Sequence, residues 1–234
     1  MIAFIQARVD SSRLPGKVLL KIKNKSILEL IYKRLKKSKF ISKIVFIIPN
    51  DNKNLILEKK LKNLKYEYFK GSNSNVLKRY YEAAKYFQSE NLVRVTADCP
   101  LIDPFIIDKM ISTFKKGNLD YISNNNPPTF AHGLDAEIIK IKALEKAYRN
   151  AKSLRDKEHV TYIITRNKKK FKIKNFKNRK NFSKIRITLD YLSDYEVIKN
   201  IFNHFHPKLY FKSTDIEKLY LKKPEIFKQN LYYR

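Results

Sequence analysis

The chain has 234 residues, 51 of them Lys or Arg and 22 Asp or Glu, for a formal net charge of +29. With 43% hydrophobic residues it reads as globular with a sizeable core rather than disordered, and no apolar run reaches membrane-spanning length. Its one cysteine, Cys99, excludes an internal disulfide framework and a cysteine-only zinc site. The N-terminal "MIAFIQAR" meets Arg8 too early for a signal peptide, so a cytoplasmic location is expected. The cations read as spread through the chain, with abundant Lys, Asn and Ile and scarce Gly. That pattern is a chain-wide bias rather than a dedicated nucleic-acid surface, and its positive field draws anionic small substrates.

In chain order, "MIAFIQA" is a buried strand running into a polar loop, and Ser26 caps an amphipathic helix that ends near Lys37. "KIVFIIP" is a second strand, "NLILEKKLKNL" a helix, "KYEYF" a short strand and "NVLKRYYEAAKYF" a long helix. "NLVRVTA" and "PFIIDKMISTFKK" follow as strand and helix, with Asp103 as the helix cap. This alternation predicts an α/β sheet covered on both faces. After Asp120 the rhythm loosens. "YISNNNPPTFAHG" reads as a long functional connection and "LDAEIIKI" as a strand. Helices follow near "KALEKAYRNA" and "RDKEHVTYIITRN". "KFKIKNF" and "KIRITLD" read as two more strands, "SDYEVIKNIFNHF" as a helix capped by Ser193, and "STDIEKLYLKKP" as a helix in the tail. No linker or repeat interrupts the chain, so one domain is expected over 1–234.

Three constellations carry chemistry. "QARVDSSRLPGK" pairs Pro15 and Gly16, suited to a tight turn, with Arg8, Arg13 and Lys17 behind the first strand. Loops at strand carboxyl ends are where ligands bind in open α/β sheets, and three cations there suit a triphosphate. The loop lacks the P-loop pattern, and a lysine-rich chain also places cations in ordinary loops. Asp98, after "LVRVTA", and Asp190, after "RITL", are strand-end carboxylates in an acid-poor chain. They suit a two-carboxylate Mg²⁺ seat, or else serve as caps. "HGLDAE" and "RDKEHVT" mix acid, base and imidazole as a polar substrate pocket does, with His132 and His159 read first as structural. Ser72 and Arg79 reach a nucleobase or phosphate, or Arg79 lies on a solvated helix face.

Taken in order, "IQARVDSSRLPGKVL", "FKGSNSNVLKRYY", "VRVTADCPLIDP", "HGLDAE", "KEHVT" and "ITLDYLSDYE" resemble the cytidylyltransferase family. The likeness is to its SpsF-like branch, named for spore-coat polysaccharide synthesis and related to CMP-sialic-acid and CMP-Kdo synthetases. It runs from Met1 to about Ile201. It implies a three-layer Rossmann-like nucleotidyltransferase fold with a mostly parallel mixed sheet, a homodimer, and Mg²⁺ as cofactor. The implied reaction joins CTP to an acidic sugar and releases pyrophosphate, for surface glycan synthesis. Residues 1–125 would form the nucleotide half, 126–192 the sugar-binding and dimerisation region, and 193–234 the C-terminal helices.

On that resemblance, Gln6, Arg8, Ser12, Arg13, Gly16, Lys17, Gly71, Ser72 and Arg79 bind the nucleotide. Asp98 and Asp190 hold the metal and, with Arg8 and Lys17, make up the catalytic set. Asn124, Gly133, Asp135, Glu137 and His159 lie in or beside the sugar pocket. Asn75 and Lys157 depart from the branch, which favours Asp and Arg there, and the second change bears on which sugar is recognised. The competing expectations are another nucleotide, a non-sugar acceptor, a nucleic-acid-binding protein and a non-catalytic scaffold.

Overall fold

The computed structural model describes residues 1–233. In chain order the elements are β1 (Ile2–Gln6), β2 (Lys21–Ile22), β3 (Lys25–Ser26), α1 (Ile27–Leu35), β4 (Lys43–Pro49), α2 (Leu55–Asn63), β5 (Tyr68–Gly71), α3 (Val76–Tyr86) and β6 (Asn91–Thr96). There follow α4 (Pro104–Lys116), β7 (Tyr121–Ser123), β8 (Glu137–Lys140), α5 (Ile141–Arg149), α6 (Leu154–Glu158), α7 (Tyr162–Arg166), β9 (Ile173–Asn175), α8 (Leu192–His204) and α9 (Ser213–Lys222). β2 and β3 form a separate hairpin, and the remaining strands make one sheet in the order β5-β4-β1-β6-β8-β7-β9. Only β8 runs against the others.

Alternation along the central strands explains the three layers. Ala3 and Ile5 of β1, with Phe46 and Ile48 of β4, face the helices α1, α2, α4, α8 and α9. Phe4, Val45 and Ile47 face α3, α5 and α7 on the other side. Strands buried on both faces read as continuous apolar runs, which is why "KIVFIIP" carries no polar alternation. Ser26 caps α1 through a reciprocal box with Glu29, and Asp103 caps α4.

The structure departs from expectation in several places, most of them after Asp120. Lys65 turns at φ 55°, so the "KYEYF" strand starts only at Tyr68. The long connection after Asp120 begins as a sheet strand, β7, and "LDAEIIKI" pairs only over β8. "RDKEHVTYIITRN" breaks into α6 and α7 at His159. "KIRITLD" joins no strand ladder. It runs extended beside the 130s loop, with Ile187 N–H donating to His132 O at 2.8 Å and Leu189 N–H to Asp98 O at 2.8 Å. Ser193 does not cap α8. The Asp194 carboxylate does so instead, accepting from the backbone N–H groups of Asp190 and Tyr191.

Candidate active site

β1 and β6 lie side by side with Gln6 opposite Thr96, so the loops leaving their carboxyl ends share one rim. Gly16 takes φ 71° and donates its N–H to Val9 O at 2.8 Å, closing the first loop on itself. The turn that follows sends Lys17 inward. Its ammonium donates to Leu189 O at 2.7 Å and to Asp190 Oδ1 at 2.9 Å, and lies 3.5 Å from Asp98 Oδ2. The two aspartates, 92 positions apart, therefore meet across one cation.

Arg13, half exposed, reaches the same Asp190 oxygen at 2.7 Å. Burial opposes ionisation of Asp190, but hydrogen bonds from Lys17 and Arg13 outweigh it and hold the carboxyl at about 2. Arg8 and Ser12 stand exposed on the wall of a cavity of about 190 Å³ whose floor includes Gln6, Lys17, Asp98 and Asp190. A second cavity of the same size lies on the other side of Thr96, Asp98 and Asp190. His132, Asp135 and Asn125 line its far wall. Desolvation raises the Asp135 carboxyl above the usual range, although Gly133 N–H donates to it at 2.8 Å.

With this geometry in place, the likeness to known proteins is specific. A family model described as cytidylyltransferase matches residues 2–232. This chain belongs to the cytidylyltransferase family. It is 30% identical over 210 residues to the spore coat polysaccharide biosynthesis protein SpsF of Bacillus subtilis, covering 85% of this chain and 84% of that one. A solved cytidylyltransferase from Leptospira borgpetersenii superposes with a TM-score of 0.92 at 34% identity, over 97% of this chain and 96% of that one. A CMP:2-keto-3-deoxy-manno-octonic acid synthetase solved with CTP superposes at 0.67 with 14% identity, over 87% and 98%, and shares the fold. The cytidylyltransferase is of the SpsF-like branch, a CTP-dependent nucleotidyltransferase with the Rossmann-like three-layer fold.

The remaining sequence-selected residues of the cytidylyltransferase fall outside the walls of these two cavities or are engaged by protein groups. Asn124 is buried, its amide donating to Leu134 O at 2.8 Å and its oxygen accepting from Ala136 N–H at 2.9 Å. Gly133 adopts φ 111° and a Cβ there would lie 2.5 Å from the backbone of Ile187 and Thr188. Glu137 is saturated by Arg94, the Tyr121 hydroxyl and Thr161 Oγ1, the last at 2.7 Å. Burial raises its pKa, but the Arg94 charge together with the hydrogen bonds from Tyr121, Arg94 and Thr161 outweighs it and leaves the carboxyl below its usual range. His159 stands on the wall of an outer cavity of about 370 Å³ together with Arg155.

Gly71 ends β5, Ser72 lies on the β5–α3 connection and Arg79 on α3, and none of the three lines either inner cavity. Arg79 is buried, not on a solvated face, and its Nε and Nη1 have no protein partner. It packs so tightly on Gly71 that a Cβ there would sit 2.8 Å from its Cγ. Asn75 caps α3, accepting from Lys78 N–H at 2.8 Å, so it does the capping work of the usual aspartate without the charge.

Sequence reasoning missed Arg94 and Arg186. Arg94 bridges Glu137 and Gln6, 3.2 Å from the Gln6 oxygen. Arg186 donates twice to Asp194 at 2.8 Å, approaches Asp190 at 3.4 Å and meets His132 Nδ1 at 3.3 Å. The available signal was a lone guanidinium inside an apolar run, in "LVRVT" and in "KIRITL".

Asp98 and Asp190 fit Mg²⁺ by donor chemistry, since that ion takes one or two carboxylates and completes its shell with phosphate oxygens and water. Held together by one ammonium, the two carboxylates would offer the ion such a seat. No cluster of three or more metal-binding side chains exists among the described residues.

Proposed function

We propose that the protein transfers CMP from CTP to a hydroxyl of an acidic sugar of nonulosonate or Kdo-like type, with Mg²⁺ as cofactor and release of pyrophosphate, in surface glycan synthesis. The observation that carries this reading is the shared wall. Asp98 and Asp190 border both the cavity beneath Arg8 and Arg13 and the cavity containing Asp135 and His132. An α-phosphate lying on that wall faces an acceptor hydroxyl from the other side, which is the in-line arrangement that phosphoryl transfer needs.

Arg8, Arg13 and Lys17 neutralise the triphosphate. Mg²⁺ held by Asp98 and Asp190 would neutralise charge at the transferring phosphate and lower the pKa of the acceptor hydroxyl. Because a guanidinium only donates, Arg186 fixes His132 with Nδ1 accepting and its proton on Nε2. His132 then presents a donor towards the acceptor cavity, 4.0 Å from Asp135. A homodimer and a cytoplasmic location are proposed with it. No helix of the described residues is long and apolar enough to cross a membrane, and sedimentation reads the assembly.

The test is pyrophosphate release with Mg²⁺ from each of four NTPs, crossed with a panel of Kdo and nonulosonate acids. Turnover with CTP and one acid is expected. Asp98→Ala should abolish that turnover while leaving the thermal unfolding midpoint in place. Absence both of turnover and of stabilisation by CTP would overturn the reading.

A further inference from the structure

Three cavities run in series from the reactive wall to the edge of the sheet. The acceptor cavity shares Arg94, Asn125 and Glu137 with the outer cavity. The outer cavity shares Tyr121, Asn126 and Thr165 with a third, of about 220 Å³, beside the edge strand β9. Lys168 and Lys174 line that last cavity. Both are exposed, and neither has an anionic or aromatic partner among the described residues.

They belong to a segment that breaks the even dispersal of charge expected from composition. Residues 168–184 hold nine Lys or Arg and no Asp or Glu. At the chain-wide frequency of 51 in 234, these seventeen positions would hold about four. Lysine on an edge strand blocks unwanted strand addition, which accounts for Lys174 on β9. It does not account for Lys168, which sits in the turn before the strand and faces the same cavity. The polar wall between them is built: the Asn175 amide donates to Pro127 O at 2.9 Å and its oxygen accepts from Asn126 N–H. The aromatic residues of the segment turn inward, Phe171 buried and Phe176 stacked on Phe130 at 6.0 Å, so the segment offers no base-stacking platform.

We propose that Lys168 and Lys174 form an anion subsite, opening into the acceptor cleft at its far end, that takes a phosphate ester group. Two ammonium point charges on flexible stems suit phosphate, whose three oxygens accept from any direction. The subsite's connection to an acceptor rests on the transfer reading above. Its existence does not, because it is read without turnover.

The test uses the full chain saturated with CTP and without sugar, so that the triphosphate loop is filled. Methyl phosphate binding is followed by ³¹P NMR for wild type, Lys168→Ala/Lys174→Ala and Lys177→Ala/Lys180→Ala. The second pair removes the same charge from the same segment outside the cavity. The expected result is saturable binding to wild type, at least tenfold weaker in the first double variant and less than twofold weaker in the second. A parallel arm measures co-sedimentation with phosphatidylglycerol-containing vesicles. Selective loss in that arm alone assigns the phosphate to a lipid headgroup. Equal loss in both double variants, or no binding in either arm, overturns the subsite. Failure here leaves cytidylyl transfer standing, whereas failure of CTP turnover leaves the phosphate result untouched.

Discussion

Lys17 ties two loops together, because one ammonium faces two carboxylates that would otherwise repel across the wall shared by the two inner cavities. Lys17→Ala should weaken CTP binding by at least tenfold, with a much smaller effect on the sugar KM. The same variant tests a linkage. Asp190 has a folded pKa of about 2, below its ordinary value, so it stabilises the fold above that ordinary value and loses this contribution as pH falls towards 2. The contribution is on the order of 2 kcal/mol. Urea unfolding at about pH 5.5 and pH 2.5 should show that loss in wild type. Lys17→Ala, with only Arg13 left on Asp190, should lose less over the same interval. Glu137→Gln leaves the Arg94 guanidinium without its counter-charge, and should cost about 3 kcal/mol by the same method. All these residue types were visible in the sequence. Lys17 and Asp98 stand in loops that follow strands β1 and β6 and were legible there. Only the fold shows that Glu137, expected in or beside the sugar pocket, borders the acceptor cavity while its carboxylate is held by Arg94, Tyr121 and Thr161.

At the scale of elements, two glycines separate conformational need from steric need. Gly16 has φ 71° but nothing within 4 Å of the position a Cβ would take. Gly133 has φ 111° and would meet the Ile187–Thr188 backbone at 2.5 Å. Gly16→Ala should therefore cost only about 1 kcal/mol. Gly133→Ala should cost well over about 2 kcal/mol and displace the segment that carries Asp190. Thermal unfolding of both variants decides the ordering, and equal losses would refute it. The segment involved, 184–190, has the composition of a strand, and its sequence alone assigns it to the sheet. Its hydrogen bonds go instead to the 130s loop and to Asp98 O, because the edge beyond β8 is already taken by β7 and β9. Asp194 shows the same limit. Its carboxylate accepts from Arg186, Asn230 and the backbone of Asp190 and Tyr191, a convergence that helix periodicity does not reveal.

At the scale of the whole molecule, the charge of +29 acts through its field. Surface potentials of one sign concentrate counter-charged ligands and are screened over about 8 Å at physiological salt. The KM for CTP should rise several-fold between about 0.05 and 0.3 M salt, with kcat changing far less. A KM insensitive to salt would mean that binding is governed by the local contacts of Arg8, Arg13 and Lys17 alone.

The sequence by itself determined the layered α/β architecture, the family, and the loop from Gln6 to Lys17. Those depend on signals local in the chain: strand and helix periods, a proline–glycine turn, charges placed directly behind a strand. Only the tertiary structure decided which charges are free and which are spent. It joined Asp98 to Asp190 through Lys17, withdrew Asn124 and Glu137 into protein contacts, buried Arg79, and brought Lys168 and Lys174 to one cavity. Each of these outcomes is a pairing between side chains distant in sequence. A pattern read along the chain fixes which face a residue occupies, not which partner will meet it there.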